Sequence, residues 1–469
     1  MKKLNELYDC NYDITIKDIK LNSKEVSNGD LFVCTRGSIV DRHDFIDEAI
    51  KNGASALIVE RGEDYKIPFI KVNNTNKELG PLSKRFYDNP LKKIKLIGIT
   101  GTDGKTTTAS IIRNMLGNNN CGYIGTNGIY SRAKIAQESN TTLEINKTYK
   151  YLDKFLHDNL KYASIEISSE ALLYNRVDTL KLDVAILTNI TEDHLNVHKT
   201  IDNYIESKEK IFSLLKDDGV AILNRDDKYF NRVSNSIHSK ILTYGKSKDA
   251  DLKILDIKEY ETGTMFRFGY NDKTYKVISP LVGDFNVYNL CSSLLCLIYF
   301  GYTMNDAIEK VTLIESIVGR CEWFKSNKGF NVVLDYAHTE NALNNILTYL
   351  NKVKKGKIIT VTGSAGGREK QKRIKMGNVV LQKSDFVIFT MDDPRYENVD
   401  DIIDDMIGDT KYTNFKRIDD RKLAIKYAFS LADENDIVLI AGKGRDNYMA
   451  INDKYIEYSD YDEIMKNLD

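Results

Sequence analysis

The 469-residue sequence contains five prolines, one tryptophan and almost no net charge. Lys and Arg, 67 in total, are balanced by 68 Asp and Glu, so we expect no overall attraction to nucleic acid or anionic lipid. The most apolar stretch, residues 290–300, is too short to span a bilayer, and no apolar run follows Lys2 and Lys3. These absences predict a soluble cytoplasmic protein with no nucleic-acid or membrane partner. We expect it to be a monomer.

The six cysteines form no C-x-x-C pair and are scattered over the chain. This distribution predicts reduced, mostly packed thiols and argues against a disulfide framework or a zinc site. Apolar residues at 42% and charged residues at 29% are ordinary for a globular protein.

The length exceeds what one hydrophobic core usually organises and predicts about three domains. Changes of pattern place them at residues 1–92, a small α/β unit, and at 93–318 and 319–469. In the last two, apolar strands alternate with helices; the strands are predicted at 94–100, 162–167, 183–188, 220–223, 330–334, 357–362, 385–390 and 436–441. Alternation of this kind predicts a largely parallel, doubly wound α/β sheet with ligands at the carboxyl ends of its strands.

A glycine-rich turn follows the strand at 94–100. Glycines at 98, 101 and 104 let backbone N–H groups approach phosphate oxygens, Lys105 adds a positive charge, and the hydroxyl of Thr106 can reach Mg²⁺. The generic phosphate-loop spacing requires glycine where this chain has Ile99, so the match is to a variant loop. A tight turn with an exposed lysine is the alternative.

Polar residues also follow other predicted strands. Glu166 ends one strand and suits Mg²⁺ binding, with a solvated strand terminus as the alternative. His194, in the segment 188–194, could ligate a metal or be a hydrogen-bonded structural residue. The segments 335–338 and 440–445 follow strands in the last third of the chain, where they could face the phosphate loop across a cleft.

Together and in this order, these segments resemble the Mur ligase superfamily over nearly the whole chain. The resemblance implies a central phosphate-loop domain between a small N-terminal domain that binds UDP and a Rossmann-like C-terminal domain. Matching segments are 23–24, 29–33, 36–37, 41–45, 204–208, 224–227, 281–289 and 319–322. The implied ATP site consists of Gly101, Thr102, Asp103, Gly104, Lys105, Thr106, Thr107, Asn286, Asn289, Arg320 and Asp335. The implied site for the UDP-sugar-peptide consists of Ser23, Thr141, Thr142, Ser168 and Arg176.

The resemblance also implies a reaction of peptidoglycan precursor synthesis. The γ-phosphoryl group of ATP moves to the D-glutamate side chain of UDP-N-acetylmuramoyl-L-Ala-D-Glu, and an amine displaces phosphate from the acyl phosphate. The implied catalytic residues are Lys105, Glu166, His194 and Lys208. Thr106, Glu166, His194 and a CO₂-derived carbamate on Lys208 are the implied Mg²⁺ ligands. Without the resemblance, Lys208 would be interpreted as a surface lysine of a Lys-rich helix.

In this superfamily the motif D-x-P-R marks enzymes that add meso-2,6-diaminopimelate, because its arginine pairs with the distal carboxylate. Here the motif reads Asp392-Asp393-Pro394-Arg395. A planar guanidinium suits bidentate carboxylate recognition, whereas lysine as substrate would leave it without a partner. The implied amino-acid site consists of Arg368, Asp392, Asp393, Pro394, Arg395, Gly442 and Asp446.

Several positions depart from the family pattern. Asp446 is one methylene shorter than the usual glutamate, Asp393 replaces asparagine and Gly367 replaces an acidic residue. Glu170 replaces a histidine, and prolines are replaced by Leu143, Val318 and Glu340. A relative that ligates L-lysine or another amine, or that acts on a different UDP-glycopeptide or carboxylate, is therefore the alternative function.

Three other classes fit the sequence less well. A folate polyglutamate ligase would not need residues 1–92, and a non-catalytic UDP-sugar scaffold would not need the catalytic set. A nucleic-acid-handling ATPase is disfavoured by the balanced charge.

Overall fold

The computed structural model describes residues 1–37, 40–138 and 140–468. Contacts divide the chain into two compact units. The first comprises Met1–Ile97, Asn118–Asp183 and Ser213–Lys216; the second comprises Gly98–Gly117, Val184–Phe212 and the chain from Asp217 onward. The three predicted domains, 1–92, 93–318 and 319–469, stay a prediction.

The N-terminal segment builds a small parallel sheet. Its elements are β1 Lys2–Lys3, α1 Leu4–Leu7, β2 Thr15–Ile16, β3 Ile19–Lys20, β4 Asp30–Val33, α2 Ile46–Lys51, β5 Ala54–Val59, β6 Phe69–Lys71 and α3 Thr75–Phe86. Strands β3, β4, β5 and β6 pair in this order, all parallel. Phe32, Leu57 and Val59 form a core with Ile46 and Ala49 of α2, which accounts for the short apolar runs of this segment.

The central part of the chain holds the longest series of elements. They are β7 Lys95–Thr100, α4 Lys105–Leu116, β8 Cys121–Gly125, β9 Gly128–Tyr130, β10 Lys134–Ala136, α5 Ile145–His157, β11 Tyr162–Glu166, α6 Ser169–Leu173, β12 Leu182–Leu187, α7 Leu195–His198, α8 Ile201–Glu209, β13 Leu215–Asn224, α9 Phe230–Asn235, β14 Lys240–Gly245, β15 Leu252–Tyr260, β16 Gly263–Tyr270, β17 Lys273–Ser279, α10 Asp284–Tyr299 and α11 Met304–Glu309.

Parallel and antiparallel pairing occur in both units. In the first unit β11 pairs parallel with β8, and β8, β9 and β10 pair antiparallel. In the second, β13, β14 and β15 are parallel, and β15, β16 and β17 form an antiparallel meander. The sequence predicted β7, β11, β12 and β13, but not the parallel strands β8 and β14 or the antiparallel strands. Strands with one exposed face alternate polar and apolar residues and therefore lack a continuous apolar run.

The C-terminal part, in the second unit, is a doubly wound sheet. Its elements are β18 Glu322–Lys325, β19 Asn331–Asp335, α12 Glu340–Val353, β20 Ile358–Thr362, α13 Lys370–Lys383, β21 Phe386–Phe389, α14 Val399–Ile407, β22 Phe415–Arg417, α15 Arg421–Leu431, β23 Ile437–Ala441, β24 Tyr448–Ile451, β25 Lys454–Glu457 and α16 Asp460–Asn467. The sheet order is β18-β19-β23-β20-β21-β22, and only the β18–β19 pairing is antiparallel.

Helices cover both faces of this sheet. Val333 of β19 packs in the core under α12, α13 and α14, whereas its neighbours Val332 and Leu334 pack in the core under α15 and α16. Alternating side chains of a strand point to opposite faces, so a strand buried on both faces is apolar throughout. The predicted α/β fold class is confirmed. The carboxyl ends of β19, β20, β21 and β23 meet at one edge, which brings the polar segments after them together.

Two expectations on chain chemistry can be checked here. All six cysteines are free thiols, and four of them are buried. Residues 290–299 of the apolar stretch belong to the sixteen-residue helix α10, which ends at Tyr299. None of the helices described has the length and apolar character required to cross a membrane.

Candidate active site

The phosphate loop connects β7 to α4 and is shaped by two glycines. Gly104 precedes α4 with a φ of 84°, in the left-handed region that favours glycine. A Cβ there would lie 2.6 Å from Oδ1 of Asn289, and a Cβ on Gly101 would lie 1.9 Å from Oγ1 of Thr188. The loop is therefore packed closely between the segment after β12 and helix α10.

Lys105 is the first residue of α4, and its ammonium lies over the loop. Its Nζ donates to the carbonyl oxygens of Gly101 and Thr102, both at 2.9 Å. Thr106, one residue further, accepts a hydrogen bond from Nη2 of Arg320 at 3.0 Å. The N-terminus of a twelve-residue helix and two nearby cations form an anion site in physical terms.

The segment after β12 holds the loop through its backbone. Asn189 Oδ1 accepts from the Asp103 amide at 3.0 Å, and Thr188 Oγ1 donates to the Asp103 carbonyl at 2.6 Å. The Thr102 hydroxyl lies 3.1 Å from the Tyr204 hydroxyl and accepts from the Thr191 amide at 3.0 Å. Sequence reasoning assigned only His194 from this segment, although the position after a parallel strand was a signal.

The Asp103 side chain contacts the C-terminal part of the chain. Its Oδ1 accepts from the Thr339 hydroxyl at 3.2 Å, and its Oδ2 accepts from Nδ2 of Asn341 at 2.8 Å. Thr339 is also the N-cap of α12, where its Oγ1 accepts from the Ala342 amide. Asp103 therefore places a carboxylate between the phosphate loop and the start of α12, where negative charge is favourable.

The remaining predicted nucleotide residues form two groups. On α10, Asn289 Nδ2 donates to Oδ1 of Asn286 at 3.0 Å, and Asn289 Oδ1 accepts from the Thr108 hydroxyl at 3.2 Å. The carboxylate of Asp335 accepts from the amides of Cys321 and Ala337, both at 2.7 Å. Thr107 is buried in the first turn of α4.

His194 follows Asp193 in a left-handed conformation with a φ of 56°. Its Nε2 lies 3.5 Å from Oδ2 of Asp193, whose Oδ1 lies 2.7 Å from Nζ of Lys372. Burial would raise the pKa of Asp193, but His194 and Lys372 outweigh it and hold the pKa far below its usual range. Lys372 was not predicted, because nothing local in sequence marks its pairing with Asp193.

Lys208, on α8, is 1% exposed. Its Nζ lies 4.5 Å from the centre of the Tyr204 ring. Burial and the charge of Lys105 hold the pKa of Lys208 well below its usual value, against the opposing influence of Asp193 and Asp103. The interpretation as a surface lysine is wrong, because the side chain is buried.

Glu166, which ends β11 in the first unit, is completely buried. Its carboxylate accepts from the Thr126 amide at 3.0 Å, from the Thr126 hydroxyl at 3.3 Å and from the Tyr123 hydroxyl. The alternative of a solvated strand terminus is therefore wrong. Among the residues that the structure describes, no group of three or more His, Cys, Asp or Glu side chains is arranged for a metal ion.

The first unit also brings together part of the predicted sugar-peptide set. Thr142 Oγ1 donates to the Glu166 carbonyl and accepts from the Ser168 amide, both at 2.9 Å, while Thr141 bonds Thr126 at 3.0 Å. Arg176 is less engaged, with Nε 4.0 Å from Oε1 of Glu144.

Ser23, the remaining member of that set, lies in the N-terminal sheet region of the same unit. It is 4% exposed, and its hydroxyl donates to the carboxylate of Glu48. The structure thus places Ser23 in a partly buried pair with Glu48.

The segments after β21 and β23 meet at a buried lysine. Lys443 has no exposed side-chain surface, and its Nζ lies 2.8 Å from Oδ1 of Asp393 and 3.8 Å from Oδ1 of Asp392. Asp393 Oδ1 also accepts from the Ala450 amide at 2.9 Å. Gly442 is required here, since a Cβ would lie 2.3 Å from Oδ2 of Asp392.

The D-D-P-R turn has an unusual backbone. Asp393 and Arg395, on either side of Pro394, have φ values of 44° and 54°. The turn is packed against Gly366, where a Cβ would lie 2.0 Å from the Pro394 carbonyl. Arg395 is exposed and makes no side-chain hydrogen bond or ion pair to any described residue. A Cβ added at Gly367 would lie 3.9 Å from Nη1 of Arg395. Because glycine stands here in place of the family's acidic residue, no side chain at position 367 engages the guanidinium.

Asp446 and Arg368 complete the predicted amino-acid set. Burial raises the pKa of Asp446 to about 6; Asp392 and Asp393 add to this, and Lys443 and Arg320 oppose it. Arg368 is half-buried near His338, whose pKa falls to about 3 mainly through burial and partly through Lys372. The predicted residues 368, 392–395, 442 and 446 thus lie in the segments that follow β20, β21 and β23 of one sheet.

Comparison with known proteins agrees with this geometry. The chain matches the Mur ligase family, catalytic domain, at residues 15–89, the Mur ligase middle domain at 99–297, and the Mur ligase, glutamate ligase domain, at 319–444. The chain belongs to the Mur ligase family, as the resemblance implied.

Two curated relatives match nearly end to end. UDP-N-acetylmuramoyl-L-alanyl-D-glutamate–2,6-diaminopimelate ligase 1 of Clostridium acetobutylicum is 36% identical over 97% of this chain and 95% of its own length. The ligase of Aquifex aeolicus named for the same reaction is 38% identical over 95% of this chain and 92% of its own length.

Solved structures show the same fold. A UDP-N-acetylmuramoyl-L-alanyl-D-glutamate–2,6-diaminopimelate ligase aligns with a TM-score of 0.68 and 28% identity over 100% of this chain and 98% of its own. The MurF ligase of Thermotoga maritima, in complex with ADP, aligns with a TM-score of 0.71 and 24% identity over 91% of this chain and 93% of its own.

Proposed function

We propose that the protein is an ATP-dependent amide ligase that adds meso-2,6-diaminopimelate to the D-glutamate carboxylate of UDP-N-acetylmuramoyl-L-alanyl-D-glutamate. One observation carries the proposal: the phosphate loop and the segments of the predicted amino-acid site belong to one compact unit. Arg320 donates a hydrogen bond to Thr106 of the loop, and Asp103 of the loop accepts one from Asn341 of α12. The printed names of the relatives supply the substrates. The structure of a relative with ADP supports ATP as the phosphoryl donor.

Lys105, Arg320 and the N-terminus of α4 bind the triphosphate. Phosphoryl transfer needs little covalent help from a protein, so positioning and neutralisation of charge account for most of the catalysis. Thr102 and Asp103 position the loop through their bonds to Asn189 and Tyr204.

In the second unit, Mg²⁺ would be held by Thr106, His194 and Lys208 as a carbamate. The donor set fits a hard cation only if Lys208 changes, because an amine is a poor Mg²⁺ ligand and an ammonium repels the ion. A neutral Lys208 can form a bond from Nζ to the carbon of CO₂ and release a proton, which yields an anionic oxygen ligand. When bound, the ion neutralises charge on the transferring phosphoryl group.

The two charged groups at the distal end of the diamino acid have separate partners. Arg395 is available for the distal carboxylate, and Asp446 for the distal ammonium, with Arg368 nearby. The additional negative charge at Asp393 is neutralised by Lys443 and by the Ala450 amide. This departure from asparagine therefore does not create a second ammonium site.

We further infer three domains at 1–92, 93–318 and 319–469, which agrees with the ranges of the family matches. We also expect a cytoplasmic monomer that acts on small-molecule substrates in peptidoglycan precursor synthesis.

The test is phosphate release by purified protein with ATP, Mg²⁺ and UDP-N-acetylmuramoyl-L-alanyl-D-glutamate, with each amino acid offered in turn. Diaminopimelate is expected to give the highest kcat/KM. A preference for L-lysine would support the alternative function. If none of the amines offered leads to phosphate release, a ligase acting on this acceptor is refuted.

A further inference from the structure

Arg421, the first residue of α15, is 1% exposed and forms a buried ion pair with Asp460, the first residue of α16. Nε lies 2.8 Å from Oδ1 of Asp460, and Nη2 lies 2.7 Å from Oδ2, so the pair is bidentate. The Tyr458 hydroxyl donates to the same carboxylate at 2.7 Å. A buried ion pair is tolerated when its remaining donors and acceptors are also satisfied.

The remaining donors of Arg421 bind the main chain of two segments of the predicted amino-acid site. Nη2 donates to the carbonyl of Ala441 at 2.9 Å, and Nη1 donates to the carbonyl of Met391 at 3.4 Å. Ala441 is the last residue of β23, directly before Gly442, and Met391 directly precedes Asp392. One guanidinium thus contacts both segments where they leave the sheet.

The two segments also touch each other on the far side of Arg421. A Cβ on Gly442 would lie 2.3 Å from Oδ2 of Asp392 and 3.8 Å from Nη2 of Arg421. Lys443 is buried between Asp392 and Asp393. A change at Arg421 therefore reaches both segments at once.

We propose that Arg421, held by Asp460, is a positioning residue for the amine substrate. It fixes segments 391–395 and 441–446 relative to each other. It thereby sets the distance between Arg395 and Asp446, which hold the carboxylate and the ammonium at the distal end of the diamino acid. The inference rests on the proposed function for the identity of the substrate. Arg421 itself is buried behind the segments and acts through them.

A lysine at position 421 cannot make the same set of hydrogen bonds. A guanidinium presents five N–H donors in a planar fork, whereas an ammonium has three donors on one atom. Arg421→Lys keeps the charge opposite Asp460 but cannot reach Asp460 bidentately together with both carbonyls. The variant therefore tests positioning with the ionic partner retained.

The experiment compares steady-state phosphate release by the full-length wild type and Arg421→Lys, with each substrate varied in turn. We expect the KM for diaminopimelate to rise about tenfold, the equivalent of one charge-assisted hydrogen bond, while kcat and the KM values for ATP and the UDP-substrate stay within about twofold. Amide hydrogen exchange is expected to accelerate in both segments, 391–395 and 441–446.

Phe429→Leu is the matched control. It lies on the same helix and packs on Phe330 with ring centres 5.3 Å apart, away from both segments. It is expected to lower the melting temperature and leave the KM for the amine unchanged. If Arg421→Lys does not fold, Tyr458→Phe removes one hydrogen bond to Asp460 but keeps the ion pair with Arg421. A smaller rise of about threefold in the same KM is then expected.

The inference is overturned if the variant loses thermal stability as the control does but keeps the wild-type KM for diaminopimelate and the wild-type exchange rates. A failure of the proposed function is a separate result. It appears as a wild type that releases no phosphate with any amine, and the exchange measurement still tests Arg421 in that case.

Discussion

Lys372 and Asp193 form an ion pair with Nζ and Oδ1 2.7 Å apart, and the two side chains are 11% and 4% exposed. The pair connects α13 of the C-terminal sheet to the residue before His194. The same carboxyl oxygen accepts from the His194 amide at 2.9 Å. The position of a predicted metal ligand is therefore coupled to a helix that begins two residues after Arg368.

Lys372→Gln should lower kcat, because it leaves a buried carboxylate without its cation and releases the support of His194. Loss of a residue that orients a metal ligand typically costs about 10- to 100-fold in activity or metal affinity. Steady-state phosphate release and Mg²⁺ titration of activity measure both effects.

Lys375→Gln is the control on the same helix. Lys375 pairs with Glu192 at 2.7 Å, but both side chains are about half exposed, and exposed pairs contribute roughly 0–1 kcal/mol. Equal losses in the two variants would contradict a special role for Asp193.

Lys208→Ala should abolish turnover, since the proposed carbamate cannot form. Short carboxylic acids should restore part of the activity by supplying an oxygen ligand in the cavity left by the side chain. In the wild type, ¹³C-labelled bicarbonate should give a carbamate signal by NMR that the variant lacks. Lys210→Ala, an exposed site two residues away, should retain activity. Full activity of Lys208→Ala would remove the need for carbamylation.

Arg395→Lys should raise the KM for diaminopimelate by about 10- to 100-fold, because a bidentate charge-assisted pair of roughly 1.5–3 kcal/mol is lost. The KM for ATP should not change. Arg417→Lys, in a partly exposed ion-pair group on β22, is the control. An unchanged KM for diaminopimelate in Arg395→Lys would show that the distal carboxylate binds elsewhere.

The KM for diaminopimelate should rise as pH falls through about 6. Burial raises the pKa of Asp446 to about 6, and only the ionised carboxylate attracts the distal ammonium. In Asp446→Asn this dependence between pH 5 and 7 should disappear. A dependence that survives in the variant would assign it to another group.

Asp446 should also affect stability in a defined direction. Its pKa is raised from the ordinary 3.8 to about 6, so its stabilising contribution is complete below pH 3.8 and is lost as pH rises through 6. Between pH 3.8 and about 6, the free energy of unfolding should therefore fall less for Asp446→Asn than for the wild type. Urea unfolding at a series of pH values measures this difference.

Much of the fold was predictable because it depends on local patterns. The strands at 162–167 and 436–441 differ from β11 and β23 by one residue at an end, since apolar runs buried on both faces are distinct in sequence. The meander β15–β17 was missed because its strands have an exposed face and alternate in polarity. The phosphate loop was visible through its glycines and lysine.

The sequence by itself determined the family, the α/β class, and the residue types at the strand ends. It could not determine which charges are paired. Lys372–Asp193, Lys443–Asp393 and Arg421–Asp460 join residues 179, 50 and 39 positions apart, and no local pattern encodes such partners. Only the tertiary structure decided that Lys208 is buried. Its pKa is lowered as a result, because the pKa of an amine depends on solvent and on neighbouring charges that the folded chain alone provides.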